Sequence, residues 1–117
     1  MTQKRSLFFY KDYFKEFYSR QTSKVQNRIL WTLKVIEDID RIPDVYFKHL
    51  ENTQGLYEIR IQSGSNIFRI FCFFDNNNII VVGHGFHKKT QKTPSKEIER
   101  AQHIRKEYYE EKKSNKP

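Results

Sequence analysis

Glu58, Arg60 and Arg69, together with a basic run from His84 to Lys96, are the side chains of this sequence best suited to chemistry on a phosphate. Arginine presents a planar fork of N–H donors that grips two phosphate oxygens at once, and lysine adds a compact positive charge. The run reads Gly83-His84-Gly85-Phe86-His87-Lys88-Lys89-Thr90-Gln91-Lys92-Thr93-Pro94 and then reaches Lys96 without a single acid. Unopposed lysines gather a polyanion, and the plain alternative is a solvated loop between strand and helix. Taken singly, Glu58 and Arg60 read as wet-face residues that pair across strands; the group of three beside aromatic rings is what points to phosphate.

Other chemistries are poorly supplied. The glycines of the basic run lack Walker spacing and a Lys-Ser/Thr ending, and no Gly-x-Ser-x-Gly elbow occurs. His84, His87 and His103 are not spaced as paired ligands on one helix, and no multi-Cys zinc set exists, so no metal and no cofactor is expected. The lone cysteine, Cys72, falls in an apolar set and reads as an inert core thiol. His49 reads as a surface residue, and Trp31 in a long helix reads as core or interface.

With 117 residues, the chain fits one domain, 1–117, with 110–117 expected as a frayed polar tail. A formal charge of +8 favours polyanion partners. Residues 1–30 carry seven Lys/Arg and two acids, residues 31–83 five and seven, and residues 84–117 ten and five. Two basic ends therefore flank a slightly acidic middle. Apolar runs such as Ile79 to Val82 are far below the roughly 20 residues of a membrane span, and no secretory segment opens the chain. A cytoplasmic protein without membrane contact is expected.

The elements that must position these residues follow from hydrophobic period. Ser6 to Tyr10 reads as a short strand, and Asp12 as N-cap of a helix carrying Phe14, Phe17 and Tyr18. Thr22-Ser23 offers a second cap, followed by Val25, Ile29, Leu33 and Ile36 on one helical stripe that Pro43 closes. After a connection from Asp44 to Gly55 the period becomes two. Leu56–Gln62, Ile67–Phe74 and Ile79–His84 read as strands of an antiparallel meander, and the glycines then let the backbone leave the sheet. Ser95 caps a last helix with Ile98, Ala101, Ile104 and Tyr108 along one stripe. The sum is an α+β domain with helices on one face of a mostly antiparallel sheet.

Strand alternation then sorts the faces. Tyr57, Ile59 and Ile61, with Phe68, Ile70, Cys72 and Phe74, form the sets expected to face the helices. Glu58, Arg60 and Arg69 fall on the opposite face beside Phe71 and Phe73. Arginines among exposed rings suit RNA, because rings stack on unpaired bases.

The segments Gly55-Leu56-Tyr57-Glu58-Ile59-Arg60, Phe68-Arg69-Ile70-Phe71 and Gly85-Phe86-His87-Lys88-Lys89-Thr90-Gln91-Lys92-Thr93-Pro94 carry a resemblance. Over about Phe8 to Tyr108 the chain resembles the phage-derived Gp49/HigB-like toxins of the RelE/ParE superfamily. The resemblance implies a RelE-like fold and a toxin of a type II toxin–antitoxin pair, neutralised by a helix-turn-helix, HigA-like antitoxin. It also implies an endoribonuclease that cuts translated messenger RNA in the ribosome, inhibiting translation and growth. A gyrase-poisoning ParE-like protein and a non-catalytic RNA-binding protein stay open as alternatives.

Within that resemblance, cleavage would be metal-independent, with the RNA's own 2′-OH as nucleophile. Arg60 and Arg69 would grip the scissile phosphate, and Lys88 and Lys89 would add charge or protonate the leaving oxygen. Histidine's ordinary titration range suits His87 to acid or base work, with Glu58 as the competing base. Lys92 and Lys96 would bind RNA, with Phe71, Phe73 and Phe86 stacking its bases.

Overall fold

A computed structural model describes residues 3–115. In chain order it forms β1 (Ser6–Phe9), α1 (Tyr13–Ser19), α2 (Ser23–Asp38), β2 (Phe47–His49), β3 (Tyr57–Ser63), β4 (Asn66–Asn76), β5 (Ile79–Lys88) and α3 (Ser95–Ser114). The five strands make one sheet in the order β1-β5-β4-β3-β2. Only β1 runs parallel to its neighbour, β5; the β2–β3, β3–β4 and β4–β5 pairs are antiparallel. The domain is α+β, as the hydrophobic periods indicate. No helix among the described residues is long and apolar enough to cross a membrane.

The α2 stripe is buried at Val25, Ile29, Leu33 and Ile36. Together with Phe17 of α1 it packs on Ile59, Ile61, Phe68, Ile70, Cys72 and Val82, which completes the first core. Thr22 caps α2 by accepting the Val25 N–H at 3.3 Å. Asp12 stands at the N-cap of α1 without a side-chain cap bond. The helix α2 ends at Asp38 rather than at Pro43, because Ile39 already turns to an extended conformation.

The third helix corrects the expectation of helices on one face. Ala101 and Ile104 of α3 pack against Leu56, Phe71, Phe73 and Val81, the opposite side of the sheet. The physical reason lies in β4, where every residue from Phe68 to Phe73 is buried. A strand apolar on both faces needs cover on both. Phe71 and Phe73, expected as exposed stacking rings, are 1% and 2% accessible beneath α3. Each contributes roughly 1.5–3 kcal/mol as core, and neither offers a ring face to a base.

Into the segment expected as a frayed tail from residue 110, α3 continues to Ser114, while residues 116 and 117 lie outside the described residues. Side-chain ties explain the extra length. Tyr10 donates to Glu111 at 2.7 Å, and Tyr13 donates to Glu107 at 2.7 Å. Asp75 accepts from Tyr108 at 2.6 Å and from Lys112 at 2.6 Å, and these bonds hold its carboxyl below the usual range.

Two further boundaries moved. The connection from Asp44 to Gly55 contains the short strand β2, whose Lys48 pairs with Glu58 across the sheet. The strand β5 does not leave the sheet at its glycines but runs on to Lys88. Gly85 permits this, since a Cβ there would lie 2.7 Å from the Phe17 ring.

Candidate active site

The face sorting of β3 and β4 brings Glu58, Arg60 and Arg69 together. Arg60 and Arg69 stand directly opposite each other in the β3–β4 register. Two like charges so placed repel, and Glu58, two residues before Arg60 on the same face, answers both. Its Oε1 lies 3.5 Å from Arg69 Nε and 3.7 Å from Arg60 Nε. Its Oε2 accepts a hydrogen bond from the Thr93 hydroxyl at 3.2 Å. The Glu58 and Arg69 side chains are 6% and 8% exposed, whereas Arg60 keeps 29%.

The two guanidinium groups are held by main-chain carbonyls as well. Arg60 donates from Nη1 to the Asp44 carbonyl at 3.3 Å, and Arg69 from Nη1 to the Phe68 carbonyl at 3.1 Å. Five N–H donors on each guanidinium leave others for a phosphate. Both arginines line a cleft of about 270 Å³ with Ile67, Tyr46 and Arg28. That is smaller than the roughly 300–1,000 Å³ of small-molecule pockets, and suits one stretch of a polymer better than an enclosed metabolite.

Lys88 joins the cluster from β5. Its ammonium donates to the Gln91 carbonyl at 2.6 Å, three residues on in the following loop. Burial, and then the neighbouring Arg69 and Arg60 charges, hold its titration below the ordinary lysine value, with Glu58 opposing. Arg69 is likewise lowered, first by burial, yet a guanidinium stays charged throughout the working range. With three cations against one carboxylate, the cluster carries a net charge of about +2.

A β-bulge decides which β5 side chains arrive there. Ile70 pairs with Gly85 and Cys72 with Val82, so β5 carries one residue more than β4 in this interval. The extra residue flips the alternation downstream. Phe86 turns to the α3 side and stacks on Phe71 at 5.6 Å. His87 turns the other way and stacks on Phe68 at 4.7 Å. The sheet therefore separates His87 from the arginines, which corrects its expected place in the site. Phe86 is half-buried, while Lys89, Lys92 and Lys96 are exposed on the loop and the first turn of α3.

Sequence reasoning missed Thr93, Arg28 and Tyr46. A threonine before a proline reads as a helix entry, and nothing local shows that its hydroxyl reaches Glu58. Arg28 sits on the solvent stripe of α2, three residues before Trp31, which is the one signal that marked it.

The same bulge buries His84 against Phe71, with its Nε2 3.1 Å from Glu97 Oε1. Its Nδ1 is buried without a partner among the described residues, which fits the neutral ring. Burial, with the Arg100 charge adding and Glu97 opposing, pushes it down to about 4 from the ordinary value of 6.5. The folded state thus binds the proton less readily than the unfolded one. Its contribution is complete above the unfolded value and declines as pH falls from about 6.5 toward 4. Stability should drop by roughly 2 kcal/mol between pH 7 and pH 5 from this group. Urea titrations at both pH values check it, with His84→Gln expected to lose most of that difference; an unchanged difference would assign it elsewhere.

The family model described as "Phage derived protein Gp49-like (DUF891)" matches residues 16–106, which span everything from the end of α1 through Arg69 and Lys88 into α3. No curated protein matches the chain.

Proposed function

Because the chain belongs to the phage-derived Gp49-like family, we propose that it is the toxin of a type II toxin–antitoxin pair and an endoribonuclease acting on translated messenger RNA. One observation carries the reading: a pair of arginines in register, aligned by one buried carboxylate, with a lysine of lowered pKa beside them. Its partners would be the ribosome with its message, and a helix-turn-helix antitoxin that covers the basic cleft; its place of action would be the cytoplasm.

The reaction is in-line attack of the RNA's 2′-oxygen on the adjacent phosphorus, breaking the bond to the 5′-oxygen. Arg60, the more accessible arginine, holds the phosphate oxygens as their charge rises, and Arg69 adds field from below. Lys88 gives its proton to the departing 5′-oxygen, a transfer eased by its lowered pKa. The 2′-OH proton passes to Glu58 when the ribose hydroxyl takes the place of Thr93 at Oε2. The products are a 2′,3′-cyclic phosphate and a 5′-hydroxyl. Lys89, Lys92 and Lys96 draw the strand in without touching the reacting bond.

The test is induction from a tight promoter with messenger RNA 5′ ends mapped within minutes. New ends inside coding regions, lying in frame and absent with Arg60→Ala, are the expected result. Intact messages with arrested growth would replace this reading with a gyrase-directed toxin, and intact messages with normal growth would remove the nuclease altogether.

A further inference from the structure

Trp31, the only tryptophan in the chain, is expected in a core or an interface, and it is 46% exposed on α2. Its ring is braced rather than loose. Tyr46 meets it edge-on at 5.4 Å, and the Arg28 guanidinium lies 4.7 Å over it. Arg28 also lines the cleft that holds Arg60 and Arg69. On its other side Arg28 lines a second shallow cleft with Lys24, Asn27 and Trp31. The two clefts are adjacent and share Arg28 and Gln62. Four cations, Lys24, Arg28, Arg60 and Arg69, line them, and no Asp or Glu does.

A cationic track ending on a braced, solvent-facing indole has the chemistry of a single-stranded nucleic-acid path. Phosphates follow the cations, and an unpaired base stacks on the ring. We propose that Trp31, backed by Tyr46 and Arg28, is the stacking platform for a base flanking the phosphate held at Arg60 and Arg69. This rests on the RNA-directed reading above and adds where the strand leaves the site: over the open edge of β3, beyond the short β2, toward α2. An acidic protein segment would also match the charge, but acidic side chains offer no flat face to the indole.

The single tryptophan makes the platform directly observable. The probe is a short single-stranded RNA with 2′-O-methyl riboses, which cannot supply the nucleophile, titrated into the purified full chain. Stacking should quench the tryptophan emission with the same midpoint as fluorescence anisotropy of the labelled RNA. Trp31→Ala should weaken binding roughly 5- to 100-fold, the effect of losing one base–aromatic stack, while Trp31→Phe restores most of it and both keep the wild-type melting temperature. RNA binding with unquenched emission and unchanged Trp31→Ala affinity would overturn the platform and leave the nuclease reading standing. Absence of RNA binding by the wild-type chain, with messages left intact on induction, would overturn both.

Discussion

Replacing Arg69 with alanine should lower the unfolding free energy by about 3 kcal/mol near neutral pH, the low end of what removing one partner of a buried ion pair costs. Arg69 is 8% and Glu58 6% exposed, and they lie 3.5 Å apart. Truncating the arginine strands a carboxylate in a site built for its charge. The cost stays at the low end because Arg60, 3.7 Å away, and the Thr93 hydroxyl still face Glu58. Glu58→Gln in the same chain removes the stranded charge, so the double variant should be more stable than Arg69→Ala alone by roughly 1–2 kcal/mol. Urea unfolding of the four chains reads the coupling directly. Additive effects, or a loss below about 1 kcal/mol, would show that the pair is not held as described. One practical consequence follows: loss of activity in Arg69→Ala mixes chemistry with folding, and Arg60 is the cleaner position at which to test the site.

Much of that site was legible because its three charged residues obey a period of two. Glu58 and Arg60 are separated by two, and Arg69 sits on the strand that a short turn forces back alongside. Such spacing needs no tertiary knowledge. The errors began where a choice of face was needed. Both alternating sets of β4 are largely apolar, and Phe71 and Phe73 next to Arg69 looked like an open aromatic face. The stripe on α3 had to be buried somewhere, but period alone gives no preference between the two sides of the sheet. The β5 residues failed for another reason. Ile80 and Val82 face the α1–α2 core, so unbroken alternation would send Phe86 and Lys88 there too and aim His87 at the arginines. A single inserted residue reverses all three assignments. Nothing in Val82-Gly83-His84-Gly85 marks that insertion except its glycines, which admit either a bulge or an exit from the sheet. Trp31 stood open between core and interface, and its 46% exposure excludes the core, because the α2 stripe buries Leu33 and leaves Leu30 and Trp31 outside.

Arg60→Ala should lower the cleavage rate of message on programmed ribosomes by about 10²–10³-fold, the range found when one preorganised donor to a developing oxyanion is lost. The expectation rests on its position. Arg60 is the more exposed of the two arginines, at 29%, its Nη1 is tied to the Asp44 carbonyl, and its Nε faces Glu58. The guanidinium is thus aimed before substrate arrives, so its donors need no reorganisation as charge builds on the phosphate. The loss should fall on the single-turnover rate more than on ribosome affinity, because ground-state binding is spread over Lys89, Lys92, Lys96 and the Trp31 track. Stability should change by no more than about 1 kcal/mol, as for other partly exposed ion pairs. Arg60→Lys should recover only part of the rate: the charge returns, but the fork that meets two phosphate oxygens does not. If Arg60→Ala cleaves within threefold of the wild-type rate while Lys88→Gln is inactive, the phosphate is gripped nearer Lys88 on β5 and Arg60 belongs to the strand's path. If both retain full rate, the arginine pair is a structural ion cluster and the reacting bond lies elsewhere on the surface.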